Sequence, residues 1–220
     1  LIYQTRILKA WLHPQRNFIQ LANSEIIRGM NASIIGLLLA SGFVFFLSGW
    51  FGIGTHVLSP TLVESSKAEF ASLKSFFLVG RTLLGFIYAG LIITLPSLCF
   101  WTFTHVDYSK LVAIQIITLP ILLLEQLTFI FLAISFDLPW YSSPLSLGVI
   151  AQYFISKNYV IYLLGSISFF KIWVMVIQYY GLRELSKLSR LPTFLMVLFL
   201  NLVGWCLTAT LAFINFVILL

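Results

Sequence analysis

Five stretches of this chain run for about 20 residues or more with almost no charge, long enough as helix to cross ~30 Å of hydrocarbon. They cover residues 32–51, 82–104, 111–135, 159–182 and 191–217. None shows the period-2 alternation that a membrane β-barrel requires. Only 9% of the residues are charged and 60% are hydrophobic, with a mean hydropathy of +1.01. A water-facing shell needs roughly a quarter of its residues charged, so a soluble domain is excluded. The expected fold is all-α: a polytopic bundle of about five transmembrane helices in the cell membrane, with the lipid bilayer as its first partner.

The net charge of +6 is read as a record of cytoplasmic loops rather than of a nucleic-acid partner. Cys99 and Cys206 both fall inside apolar runs, with no C-x-x-C pair and no metal-ligand spacing. They read as ordinary buried thiols. The opening is too polar for a cleavable signal peptide. The chain starts at Leu1 rather than Met, as a chain lacking an N-terminal piece would.

Two parts are expected: an amphipathic cytoplasmic or interfacial segment over 1–30 and a five-helix transmembrane domain over 31–220. In the first, Tyr3, Ile7 and Trp11 recur at helical spacing, Pro14 breaks the stripe, and Phe18, Leu21, Ala22 and Ile26 resume it. With Arg6, Lys9, Arg16 and Arg28 alongside, such a segment suits the headgroup region near anionic lipid, or else a docking surface for a partner protein. Residues 53–75, with Ser59-Pro60, Glu64, Lys67, Glu69 and Lys74, read as a connection. Ser142-Ser143-Pro144 reads as a helix start, and 145–155 as a short helix at the surface or dipping partway in. Counting basic residues puts eight inside (Arg6, Lys9, Arg16, Arg28, Lys110, Arg183, Lys187, Arg190) and four outside (Lys67, Lys74, Arg81, Lys157). The expectation is therefore N-terminus cytoplasmic and C-terminus outside.

Glu125 and Lys171 lie within the third and fourth runs. A charge at the bilayer centre costs about 2.5–3.5 kcal/mol on insertion scales and normally faces the bundle interior with a partner. At ~1.5 Å per residue, the two lie roughly 10 Å apart in depth, a gap that flexible side chains can narrow. Arg81 competes for Glu125, and Asn201 is a hydrogen-bond acceptor for Lys171. Two readings stand: a proton or substrate path, or an intramembrane polar clamp that sets helix register. One acid and one base without further acids or histidines make a poor relay, which favours the clamp.

Chemistry of other kinds finds no pattern. His13, His56 and His105 fall in segments that cannot share a site. There is no H-E-x-x-H, no phosphate-binding glycine loop and no G-x-S-x-G elbow. No catalytic residue, metal site or cofactor is expected, so the chain reads as no enzyme.

The fourth run continues Ser168-Phe169-Phe170-Lys171-Ile172-Trp173, with Gly181 eight residues after Trp173 and a basic turn of Arg183, Lys187 and Arg190. This resembles the Yip domain family, whose bacterial members show a pattern near Asp-x-Phe-x-Ile-Trp, a glycine about eight residues on, and a basic turn into a last span. Trp11-x-x-Pro14-x-x-x-Phe18 is similar to the family's opening segment. Ser168 replaces the pattern's acid, and Lys171 is an added charge. The resemblance implies five spans and a non-enzymatic membrane protein that works through other membrane proteins. One Gram-positive branch accompanies a macrolide-exporter-type ABC transporter with an adaptor and defends against a toxic peptide.

The expected function is accordingly an accessory protein that assists such an export complex, with ABC permease, ATPase or adaptor subunits as partners. The alternative is a small stand-alone transporter or channel acting as a homo-oligomer. Small residues on the first two spans (Gly36, Ala40, Gly42 and Gly49; Gly85 and Ala89) are either contact surfaces for partners or packing within the chain.

Overall fold

The computed structural model describes residues 2–4, 7–55 and 67–214. The helices are α1 Ile7–Leu12, α2 Pro14–Ala22, α3 Met30–Trp50, α4 Lys67–Phe103, α5 Tyr108–Phe136, α6 Gly148–Phe154, α7 Asn158–Gly165, α8 Phe169–Ser186 and α9 Arg190–Phe213, with a 3-10 turn at Trp140–Ser142. A two-stranded parallel ribbon, β1 Ile2–Gln4 against β2 Ile26–Arg28, closes the N-terminal segment. Among the described residues, four helices (α3, α4, α5 and α9) are long and apolar enough to cross a membrane, which makes this a multi-pass helical membrane protein. Arg6, His56, Ser59-Pro60, Glu64 and the end of the last apolar run lie outside the described residues, as does the side chain of Lys67.

The bundle is built around α5. Every residue of α5 from 111 to 119 is buried, so this helix meets neighbours on all sides. One apolar cluster joins its Leu111, Ile114 and Ile117 to Val174, Ile177 and Leu182 of α8. A second joins its Val112, Ile116 and Leu119 to Leu37 of α3 and to Ala89 and Ile93 of α4. Antiparallel α3 and α4 approach closely through small residues. A Cβ on Gly85 would stand 2.7 Å from the Ser41 carbonyl oxygen, and the Ser41 hydroxyl donates to the Gly85 carbonyl at 2.7 Å. Gly42, Gly49, Gly85 and Ala89 thus pack within the chain, whereas Gly36 and Ala40 face outward.

The opening segment is docked on this bundle rather than lying free beside it. Phe18 and Leu21 are fully buried in the cluster around Leu111 and Ile177. The Trp11 indole donates to the Ile117 carbonyl at 2.9 Å, next to the carbonyl that Pro120 leaves without its helical donor. Lys110 Nζ donates to the Ala22 carbonyl at the end of α2 at 3.0 Å. Leu8, Leu12 and Ile19 remain exposed beside Lys9 and Arg16.

Three expectations are corrected. The second run is the end of a longer helix: α4 begins at Lys67, because residues 68–81 contain no proline to break the helix before that run begins. The helix expected from Ser142-Ser143-Pro144 starts instead at Gly148. The serine hydroxyls make local turns that compete with helix, Ser143 accepting from Leu145 N–H at 3.3 Å and Ser146 from Gly148 N–H at 3.4 Å. The fourth run is not one helix but two, α7 and α8, separated at Ser166–Ser168. Glycine followed by two serines around a β-branched residue offers the backbone little reason to stay helical.

Candidate functional site

The break between α7 and α8 is filled by the chain that precedes α6. Ser146 and Ser168 form an antiparallel bridge. Leu147 N–H donates to the Ile167 carbonyl at 3.0 Å, and Phe169 N–H to the Leu145 carbonyl at 2.9 Å. Backbone groups freed at membrane depth need such partners, and here a segment returning from the end of α5 supplies them. Glycines allow this close approach. A Cβ on Gly148 would lie 2.0 Å from the Tyr141 carbonyl oxygen and 2.8 Å from the Gly165 Cα.

Ser168 is extended at the N-cap of α8 and accepts from Lys171 N–H at 3.2 Å. Its hydroxyl donates to Glu125 Oε1. Glu125 stands eleven residues before Phe136, the last residue of α5, or about 16 Å along the helix axis. The returning segment therefore reaches well below that end of the bundle. The carboxylate is 1% exposed. Its second oxygen, Oε2, is buried with no hydrogen-bond partner among the described residues. Ser143, Ser146 and Ser166 are buried in the same layer.

The four residues expected to form one clamp are placed apart. Lys171 follows Ser168 on α8 and lies within electrostatic reach of Glu125, but among the described residues no ion pair of 4.0 Å or less joins them. Arg81 does not turn to Glu125. Its Nη2 donates to Ser48 of α3 at 2.9 Å, and its guanidinium lies 5.9 Å and 6.0 Å from the Phe45 and Phe77 ring centroids. Those aromatic faces and the α3 hydroxyl hold it near its own backbone, although its Nε is buried with no hydrogen-bond partner among the described residues. Asn201 donates not to or from Lys171 but to Gln178 Oε1 at 2.9 Å. Gln178 in turn donates to Gln115 Oε1 at 3.0 Å, which also accepts from Thr118. This Asn201–Gln178–Gln115 chain ties α9, α8 and α5 together about ten residues from the Glu125 layer. Sequence reasoning missed both glutamines; the available signal was two amides inside apolar runs.

The motif residues around Ser168 have structural work in α8. Trp173 meets Trp11 edge-on with centroids 5.3 Å apart, and Phe170 packs against the same cluster. Ile172 faces outward. Gly181 lets α8 close on α5, since a Cβ there would stand 2.9 Å from the Ile114 side chain. Arg183 lies in the last turn of α8, Lys187 ends it in the left-handed conformation, and Arg190 begins α9. Among the described residues no three His, Cys, Asp or Glu side chains gather as a metal site. What the Glu125 layer offers chemically is a buried carboxyl, one of its oxygens unpartnered, at the N-terminus of a half-helix. No protein-family model matches the chain, and neither the curated proteins nor the solved structures supply a match.

Proposed function

We propose that this chain is a non-enzymatic accessory protein of the cell membrane that joins and assists an export complex through lateral helix contacts. The partners are the permease, ATPase or adaptor subunits of an ABC exporter of the toxic-peptide-defence kind. The chain crosses five times, α7 and α8 together making the fourth crossing, with the N-terminus cytoplasmic and the C-terminus outside. One end of the bundle carries Lys9, Arg16, Arg28, Lys110, Arg183, Lys187 and Arg190, which supports that orientation. The resemblance to the Yip domain family supports the accessory role.

The observation that carries the reading is the outer face of α3. Ala32, Gly36 and Ala40 recur every four residues and are exposed, flanked by exposed Ile35, Leu39 and Phe43. A Cβ on Gly36 would meet nothing within 4 Å, so among the described residues nothing packs on the stripe there. Small residues at this spacing let a second helix approach closely. Affinity purification from the native host in gentle detergent, after crosslinking in the membrane, tests this. Wild type should bring down an ABC permease, its ATPase or an adaptor, and Gly36→Leu should lose it while folding normally. Recovery of the chain alone from both would sink the proposal.

A second reading, a stand-alone transporter or channel acting as a homo-oligomer, is favoured by one observation. A discontinuous helix beside a buried carboxyl is how many transporters build a midplane site. Flux into liposomes holding only this protein would choose it over the accessory role.

A further inference from the structure

The Glu125 layer has a feature that a purely structural clamp does not need. Oε1 is engaged by the Ser168 hydroxyl, yet Oε2 is buried and receives nothing. Around it the backbone is open at Ser166–Ser168, and the returning segment is held there by the Leu147 and Phe169 amide hydrogen bonds. Ser143, Ser146, Ser166 and Ser168, on the segments that meet at this break, are each at least nine-tenths buried, and the Ser168 hydroxyl reaches the carboxyl. We propose that Glu125 is a reversible proton-binding site, with the proton taken on Oε2, and that its negative charge holds the returning segment closed over the α7–α8 break. This does not rest on the exporter reading.

Both charge states are chemically complete in one respect and deficient in another. The ionised carboxylate sits at the N-terminus of α8, where the helix dipole is positive, and within electrostatic reach of Lys171. Its Oε2 is then a buried charged acceptor with no donor, which is costly. A proton on Oε2 removes that charge and leaves Oε1 accepting from Ser168. The neutral acid no longer attracts the start of α8 or Lys171, so the contacts that close the break weaken. Only an O–H bond forms or breaks, and one unit of charge changes with it. The titratable groups facing the carboxyl are Lys171 of α8 and Tyr88 of α4.

The test uses wild-type protein in liposomes, treated with dicyclohexylcarbodiimide from acidic to alkaline buffer. This reagent modifies carboxyl groups that carry a proton in an apolar setting, and mass spectrometry places the adduct. Modification of Glu125 should be strong in acid and fall about tenfold for each unit of pH on the alkaline side of its titration. Hydrogen exchange of the 143–169 peptides, corrected for the intrinsic effect of pH, should be several-fold faster in acid, with α9 peptides unchanged. Glu125→Gln should exchange at the fast rate in both buffers. No adduct at any pH overturns the proposal, as does an adduct that is independent of pH. Equal protection of 143–169 in wild type at both extremes overturns the coupling to closure.

Discussion

Ser168→Ala is the substitution that most directly tests how the broken helix is held. The hydroxyl does two jobs, capping α8 through Lys171 N–H and donating to Glu125 Oε1. Loss of an N-cap costs about 0.5–2 kcal/mol. An interhelical hydrogen bond in a membrane protein is worth about 0.6 kcal/mol on average and ~1.7 at most. Removing the donor also leaves both carboxylate oxygens buried and unpaired, a further penalty of about 1–3 kcal/mol. The expected loss is therefore at least about 2 kcal/mol. Glu125→Gln keeps an acceptor opposite Ser168 and should cost no more than about 1 kcal/mol on the same scale. Reversible unfolding in mixed micelles with a rising dodecyl sulfate fraction, followed by far-UV circular dichroism, reads these values. A double-mutant cycle with Glu125→Leu isolates the shared part, expected at about 1–2 kcal/mol. A coupling below about 0.3–0.5 kcal/mol, the limit of additivity for independent sites, would show that the two residues do not act together.

Gly148→Ala should open the α6–α7 hairpin, because its Cβ would meet the Tyr141 oxygen at 2.0 Å and the Gly165 Cα at 2.8 Å, both of them backbone. The cost should reach or exceed the ~3 kcal/mol upper end for overpacking in the same unfolding assay, while Gly36→Ala stays within about 0.5 kcal/mol of wild type. Gln178→Leu removes the interhelical bonds to both Gln115 and Asn201, leaving them only Thr118 and the Val197 carbonyl, and should cost about 1–3 kcal/mol; pairing it with Gln115→Leu should recover part of that loss. Burial pushes the Tyr3 phenol up to about 12, its hydrogen bond to Asn17 opposing the rise. A raised phenol value stabilises the docked N-terminal segment fully below the unfolded value of about 10, and this contribution, at most about 3 kcal/mol, is lost as pH climbs through 10 to 12. Absorbance titration of phenolate against Tyr3→Phe should show Tyr3 ionising near 12; ionisation near 10 would refute its burial.

The membrane class was legible because hydrophobic length is a local property. The apolar runs at 32–51 and 111–135 match α3 and α5 to within about three residues at each end. The extension of α4 back to Lys67 was hidden by Lys67, Glu69 and Lys74, charges that suit a solvated helix end as well as a loop. Pairing was less legible than placement. Gln115 and Gln178 are 63 residues apart, and no periodicity in either run says that their faces meet. Arg81 looked like a partner for Glu125 because both are charged, whereas Ser48 and two aromatic faces were nearer at hand. The break at Ser166–Ser168 had a sequence signal in Gly165-Ser166-Ile167-Ser168, but small polar residues also sit inside unbroken membrane helices. What decided the outcome was the returning segment at 143–147, a contact that lies about twenty residues away in sequence.

That contact also gives the Ser168 position its meaning. An acid at an N-cap satisfies helix amides by itself. In this chain the carboxylate comes from α5 and reaches the cap through the serine hydroxyl. The cap of α8 is thereby tied to a tertiary contact: separating α8 from α5 removes the acceptor that orients the Ser168 hydroxyl toward its cap, and disturbing Glu125 is felt at its first turn. Moving the acid should undo this dependence. Ser168→Asp alone sets two carboxylates against each other and should be less stable than wild type. Ser168→Asp combined with Glu125→Gln should regain most of that loss, because the new side chain caps α8 locally and the amide can donate to it. Hydrogen exchange of the first turn of α8 should then no longer respond to substitutions at α5. A double variant no more stable than Ser168→Asp alone would mean that the cap and the carboxylate are not interchangeable parts of one device.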